Sequence, residues 1–314
     1  MLFSICRAII TSDDFYEGRG SMRDYLYAFM TECEYPTDAI DVLLSAYDRL
    51  SSECPTELSA LIAEYDASYD IDYLGAIDRI HSLAEKCGVN IYTAELLLFL
   101  LYTKRLRLYY SEAGLDDSLF LDTVLDLKYK LDECKCVKGV WGSFVGRWFP
   151  GFFKLERFAL GRLQFEIIPF GSEYEIDGVK LTPDSRILNV HIPRTGTRLD
   201  RESTLDAYRR AAQFYRDELG DEIVFSCNSW LLFPRHREML REGANLLAFM
   251  NDYQIISSGE YANYSEVWRL FDKSYEGSTA DMPADSSLRR AYLDLMERGE
   301  KTGWGRGLFV YRLK

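Results

Sequence analysis

FALGRLQFEIIPFGSEYEIDGVKLTPDSRILNVHIP, residues 158–193, is the stretch that decides how this chain folds. In Arg162–Ile168 the apolar Leu163, Phe165 and Ile167 alternate with Arg162, Gln164 and Glu166. Strand side chains point to opposite faces in turn, so this segment predicts a strand with one apolar and one polar face. Ile187–Ile192 divides the same way, with Leu188, Val190 and Ile192 opposite Asn189 and His191. Between them, EIDGVKL carries Asp177-Gly178, a pair that tolerates the two positive φ values of a tight hairpin turn. The whole stretch predicts an antiparallel meander whose polar face, carrying Arg, Gln, Glu, Asn and His, is a place for chemistry.

Downstream, Ser203–Leu219 repeats Leu205, Tyr208, Ala212, Tyr215 and Leu219 as the inward stripe of an amphipathic helix that Gly220 stops. A short strand, Glu222–Cys227, comes next. Strand, loop, helix and strand in that order allow a parallel pair joined by a right-handed crossover. Further on, the pattern predicts a short helix over Pro234–Arg241 and a strand over Ala244–Phe249, with a continuation through Tyr253–Ile256. Two helices, over about Tyr264–Ser274 and Asp285–Arg298, complete this part, the second opened by the cap cluster Asp285, Ser286 and Ser287. GWGRG, residues 303–307, reads as a turn into a last strand, Leu308–Leu313. Its glycines do not form GxGxxG and come after a helix instead of opening one, so they do not make a phosphate loop.

Upstream, residues 1–138 read as helices throughout. Asp38–Leu50 comes after Pro36-Thr37, with Thr37 as the expected cap. Ile71–Cys87 puts Leu74, Ile77, Ile80 and Leu83 on one stripe and ends at Gly88, the expected left-handed terminus. Tyr92–Tyr110 and Asp117–Glu133 complete a bundle of five or six helices. The connecting segment 139–157 is crowded with aromatics, among them Trp141, Phe144, Trp148, Phe149, Phe152 and Phe153. Large aromatics dominate buried contact area, so the segment predicts a seam between the helical half and the next domain, with a ligand-pocket wall as the sharper alternative. The fold class is α+β: an all-helical domain over 1–138, then a mixed-sheet domain over 158–314.

Among 314 residues, 47% are apolar and 14% aromatic, enough for two cores. The net charge of -13 opposes a polyanionic partner, so neither nucleic acid nor an anionic membrane is expected. The seven cysteines, an odd number without a preceding signal peptide, predict reduced thiols in a cytoplasmic protein. Cys134-Lys135-Cys136 lacks a second pair at zinc-binding spacing, and no metal site is expected. Ala94–Tyr102 is too short to cross a bilayer and reads as a buried helix.

The order of elements in the second half is that of the GNAT acyltransferase fold. LGRLQFE (160–166), NVHIP (189–193), SWLL with Pro234 (229–234), NLLAF (245–249) and MPADSSLRRA (282–291) together resemble a two-domain bacterial family. In that family a helical N-acyltransferase N-terminal domain precedes a GNAT-like C-terminal domain. The resemblance implies acyl transfer from an acyl-CoA-like donor to a small-molecule amine or hydroxyl. The donor would lie between the Ile187–Ile192 and Glu222–Cys227 strands, its pyrophosphate at the N-terminus of the Ser203 helix. Arg194, Thr195, Gly196 and Thr197 flank that terminus, although the loop holds one glycine where GNAT enzymes carry a pair.

Amide formation from a thioester needs a base for the amine proton and partners for the carbonyl oxygen and leaving thiolate. Glu166 and His191 are the candidate bases, with Arg162, Gln164 and Asn189 as substrate contacts on the same polar face. A merely solvated face is the competing reading, since antiparallel sheets commonly have one wet side. Asn228 and Ser229 are placed to bind the acyl carbonyl or the pantetheine arm, or else to cap the next helical segment. Cys227 reads as a small buried thiol instead of a nucleophile, because no base neighbours it in sequence. The rival function is a non-catalytic GNAT-like module that binds a small ligand or a protein partner.

Overall fold

The computed structural model describes residues 20–313, so Cys6 lies outside the described residues. The chain divides into two compact units: one runs to Phe153 without residues 136–138, and the other comprises 136–138 and everything from Lys154 onward.

The first unit is built from α1 (Met22–Glu32), α2 (Thr37–Glu53), α3 (Pro55–Ala67), α4 (Tyr73–Cys87), α5 (Ile91–Glu112), α6 (Asp117–Lys138) and the single turn α7 (Pro150–Phe153). Helix α5 is buried on nearly every side, every residue from Thr93 to Thr103 included, as expected for a central helix that is apolar all round. Two details differ from the expected pattern. Pro36, not Thr37, occupies the cap position of α2, and no side chain caps it. Leu74 is 46% exposed, because Tyr73, Ile77, Ile80, Ala84 and Cys87 form the inward stripe and Leu74 stands one residue, about 100°, round the helix from it. Gly88 closes α4 in the left-handed conformation, as expected.

The aromatic segment is part of this helical core. Phe149 and Phe153 lie 4.7 and 5.1 Å from Phe99 of α5, centroid to centroid, and Phe153 lies 5.8 Å from Tyr65 of α3. Tyr65 also donates its hydroxyl to the Phe153 carbonyl. Residues 139–153 thus belong to the helical unit.

The second unit is a mixed sheet. Its strands are β1 (Arg157–Leu160), β2 (Leu163–Pro169), β3 (Tyr174–Ile176), β4 (Val179–Leu181), β5 (Arg186–His191), β6 (Glu222–Ser229), β7 (Gln254–Glu260) and β8 (Gly303–Arg312). Helices α8 (Arg201–Phe214), α9 (Arg216–Leu219), α10 (His236–Met239), α11 (Asn245–Met250), α12 (Trp268–Phe271) and α13 (Ser287–Glu297) connect them. Six strands pair in the order β1-β2-β5-β6-β8-β7, and β3-β4 make a separate two-stranded sheet. Strand β2 pairs directly with β5, so the Asp177-Gly178 hairpin, with φ of 49° and 84°, is a side arm and not a rung of the meander. Its residues Ile176 and Leu181 join Phe170, Ile187, Val224 and Leu308 in a buried cluster that covers one half of one sheet face.

The crossover through α8 makes β5 and β6 parallel, as expected. Helix α8 covers the opposite face, where Tyr208 meets Phe225 and Phe309, at 5.5 and 4.8 Å, and Phe214 meets Phe158. Two elements depart from the sequence pattern. Ala244–Phe249 is helical (α11), because a short apolar run carries no period that separates strand from buried helix. GWGRG is the first half of strand β8, not a turn. A Cβ on Gly305 would come 2.2 Å from the Leu232 carbonyl oxygen, so the residue is glycine because the chain after β6 lies flat on this strand.

Candidate active site

Ladder register and strand alternation decide which side chains share a face. Arg157 of β1 stands opposite Glu166 of β2, which stands opposite Asn189 of β5, which pairs with Ser226 of β6. Two residues further along each strand, Gln164 pairs with His191, and Asn228 with Arg306 of β8. All eight residues occupy the face opposite α8, on the half that the β3-β4 side arm does not cover, although Arg157, Gln164 and Ser226 are buried there. Phe158, Phe165 and Val190 alternate to the other side.

The centre of this face is a charge-assisted network. His191 Nε2 lies 2.6 Å from Glu166 Oε1, and Asn189 Nδ2 donates to the same oxygen at 3.1 Å. Arg157 donates from Nε and Nη2 to Glu166 Oε2, at 2.9 and 2.7 Å. Burial pushes the Glu166 carboxyl up, but the hydrogen bond and charge of His191, the Arg157 guanidinium and the Asn189 amide outweigh it and hold the group at about 2. A carboxylate held so low takes up no proton near neutrality, so its chemical use is to orient the imidazole and stabilise its protonated form. With Nε2–H donated to Glu166, Nδ1 is the acceptor nitrogen of the neutral ring.

Strands β5 and β6 pair only at Leu188 with Phe225 and at Asn189 with Ser226. Beyond that point β5 runs on to His191 and β6 to Ser229 with no rung between them, so the two strands part beside the Glu166-His191 pair. Parted strands leave backbone N–H and C=O groups facing each other across a gap, able to bond an extended ligand that enters between them.

The other expected contacts fall in several places. Gln164 lies in the His191 row but is only 1% exposed, so the expected substrate contact is closed off by burial. Arg162 sits in the two-residue turn between β1 and β2 and donates to the carbonyls of Pro193 and Thr197; it holds the loop instead of facing a substrate. Within that loop Arg194 is paired with Asp272 at 2.8 Å, and the Thr195 and Thr197 hydroxyls bond one another at 2.7 Å. Gly196 adopts φ of 77° with open space around it. The N-terminus of α8, expected to take pyrophosphate, is already capped by Asp200, whose carboxylate accepts from Ser203 N at 2.8 Å. Arg198, exposed beside it, has no partner among the described residues.

Asn228 is exposed on the open face, whereas the Ser229 hydroxyl accepts from Leu231 N and caps the 3₁₀ turn Trp230–Leu232. Cys227 points to the α8 side, fully buried, and burial pushes its thiol far up, as the core reading expects. Sequence reasoning misses Arg157 and Arg306. The signal for Arg157 is Gly161-Arg162 as a two-residue hairpin turn, which turns RFAL into a strand. No comparable signal marks Arg306, hidden among glycines.

A helical unit and a six-stranded mixed sheet, with a crossover helix on one face and a parted parallel pair, define a GNAT-like acyltransferase domain behind a helical domain. Residues 24–155 match the N-acyltransferase N-terminal domain, and residues 158–309 match the GNAT-like C-terminal domain. The chain belongs to this two-domain acyltransferase-like family. Similar solved structures include an acyltransferase in complex with decanoyl-CoA and teicoplanin, 19% identical with a TM-score of 0.68 over 91% of this chain and 87% of that one. A mutant acyltransferase with octanoyl-CoA (19% identity, TM-score 0.69, 93% and 88% covered) and an acyltransferase with CoA and 10C-teicoplanin (18%, 0.66, 92% and 88%) are alike in fold. No curated protein matches the chain at a significant level.

Proposed function

We propose that this chain transfers an acyl group from acyl-CoA to an amine. The observation that carries the reading is the parting of β5 and β6 beside a histidine held by an ionised carboxylate. The acyl-CoA complexes of the similar structures support the choice of donor. In the proposed reaction the pantetheine arm lies between the parted strands and bonds their backbone. His191 Nδ1 takes a proton from the attacking amine as its nitrogen bonds the thioester carbon. The carbon–sulfur bond then breaks, and CoA leaves as a thiolate that is protonated on departure. Glu166, anchored by Arg157 and Asn189, stabilises the imidazolium. The phosphates would meet Arg198 and the backbone of the Arg194–Thr197 loop, with Asn228 reaching the acyl carbonyl.

The Asp200 cap supports the second reading, a module that keeps the fold and binds a ligand or protein partner without turnover, because it places an anion where the pyrophosphate would sit. Isothermal titration with CoA and a series of acyl-CoAs, combined with an assay of thiol release with a panel of amines, separates the two. Binding with thiol release supports acyl transfer. Binding without release from any amine supports the module, and no binding at millimolar CoA overturns the donor assignment.

A further inference from the structure

Arg306 lies in the polar row that starts at Gln164 and His191, between Asn228 and Ser257 of β7, and the proposed reaction leaves it without a task. Its Nη2 donates to the Phe170 carbonyl at 3.1 Å, and its guanidinium lies 4.7 Å from the centroid of the Phe170 ring. It is half-buried, and no carboxylate pairs with it among the described residues. The other cations of this face are matched from within: Arg157 by Glu166, and Arg312, six residues further along β8, by Glu222 at 2.7 Å. A guanidinium has five N–H donors in a planar fork, and a single carbonyl satisfies one of them. Burial alone lowers the pKa of Arg306, the mark of a cation that has lost water without gaining an anion. The position is also held firmly. Phe170 belongs to the buried cluster under the side arm, so the stack fixes the guanidinium at the edge of the open half-face.

We propose that Arg306 binds a carboxylate on the acyl acceptor, which makes the acceptor an amino acid or a similarly sized amino acid derivative. The inference rests on the acyl-transfer reading for the role of His191, and adds which amines are taken. Strand β6 lies between the strands of His191 and Arg306, so two strand spacings, at least about 10 Å, separate the backbones. The two side chains and an amino acid between them fill that distance, with the amine toward His191 and the carboxylate toward Arg306. Asn228, opposite Arg306 in the ladder, lies under the middle of such a ligand. A planar, bidentate partner is what the free edge of the fork fits best.

N-acylated amino acids, the products such a site would release, supply the test. Binding of N-decanoylglycine and N-decanoyl-β-alanine to the full chain is compared with that of their primary amides, alongside decanoyl-CoA. The expected result is that at least one acid binds about tenfold more tightly than its amide, that Arg306→Gln removes the preference, that Arg306→Lys keeps part of it, and that decanoyl-CoA affinity is unchanged in both variants. Equal binding of acids and amides, or binding of neither, overturns the proposal on the unmodified protein alone. So does an Arg306→Gln variant that keeps the preference, which makes the residue a prop for the side arm, or one that loses decanoyl-CoA, which makes it a donor contact. If decanoyl-CoA does not bind the unmodified chain while the acids outbind their amides, the acyl-transfer reading fails and the carboxylate site stands.

Discussion

In the proposed reaction His191 works as a base while Glu166 stays ionised, and His191 itself, Arg157 and Asn189 keep that carboxyl ionised. His191→Ala should therefore lower kcat by about 10²–10⁴-fold, the usual worth of a positioned base, and leave acyl-CoA affinity intact in calorimetry. A rate equal to that of the unmodified protein would remove His191 from the mechanism. Glu166→Gln should do more. It slows turnover and also takes from Arg157 its charged Glu166 partner, at a cost of at most about 3–5 kcal/mol for a buried pair, lowered by the partial exposure of both groups. Denaturant unfolding of the single variants and of Arg157→Ala with Glu166→Gln would show the coupling as non-additivity.

Two residues contribute to the acid sensitivity of the second unit. Burial depresses His236 to about 4 from an ordinary 6.5, with its Nε2 on the Tyr292 hydroxyl at 2.7 Å. The unfolded chain then binds the proton first, so stability is full above about 6.5 and falls as pH drops toward 4. The Glu166 contribution is present above about 4.5 and is lost as pH falls toward 2. Unfolding free energy measured across this range should decline in two stages, and His236→Gln should remove the upper one. The site is legible in part. Alternation marks Glu166, Asn189 and His191, because period 2 is visible in one chain. Arg157 and Arg306 reach the same face through register, which no single sequence displays.

At the scale of elements, the strand with glycine at every second position is the informative case. Gly303, Gly305 and Gly307 of β8 face the chain that leaves β6, where Phe233, Leu232 and Tyr253 lie closer than any Cβ allows. Gly305→Ala should cost about 1–3 kcal/mol by overpacking against backbone that cannot yield. An unchanged melting temperature would mean the Leu232 segment shifts freely. The same feature explains why the last strand looks like a turn in the sequence: glycine usually marks chain reversal, and only a neighbouring element can mark it as a surface for close approach. Helix α11 is hidden for the converse reason, since five apolar residues in a row fit a strand and a buried turn of helix equally well. Strands β2 and β5 and the crossover helix are legible because each carries its own period, and β6 because a short apolar run follows the glycine that stops that helix.

For the molecule as a whole, the division into a helical and a mixed-sheet unit is visible in the change of periodicity, but its border is not. Aromatic residues declare burial without naming the partner, and those of the connecting segment belong to the helices. Phe153→Ala should destabilise the protein by about 3–5 kcal/mol, read in denaturant unfolding as a loss of helical signal at lower denaturant. A cost below about 1 kcal/mol would show that Phe99 and Tyr65 close over the space unaided.

The side arm of β3 and β4 leaves the main ladder untouched, because β2 and β5 pair with each other beneath it. It is a partition packed onto the floor of the sheet. Its length, and not the sheet, sets how much floor is open beside His191 and Arg306. Adding a rung to the hairpin would close the row toward Asn228, whereas trimming it would lengthen the bay and, by uncovering Phe170, release Arg306. Under the proposed reaction, insertion or deletion in this one surface hairpin would change the size of the acceptor admitted without altering a residue of the sheet.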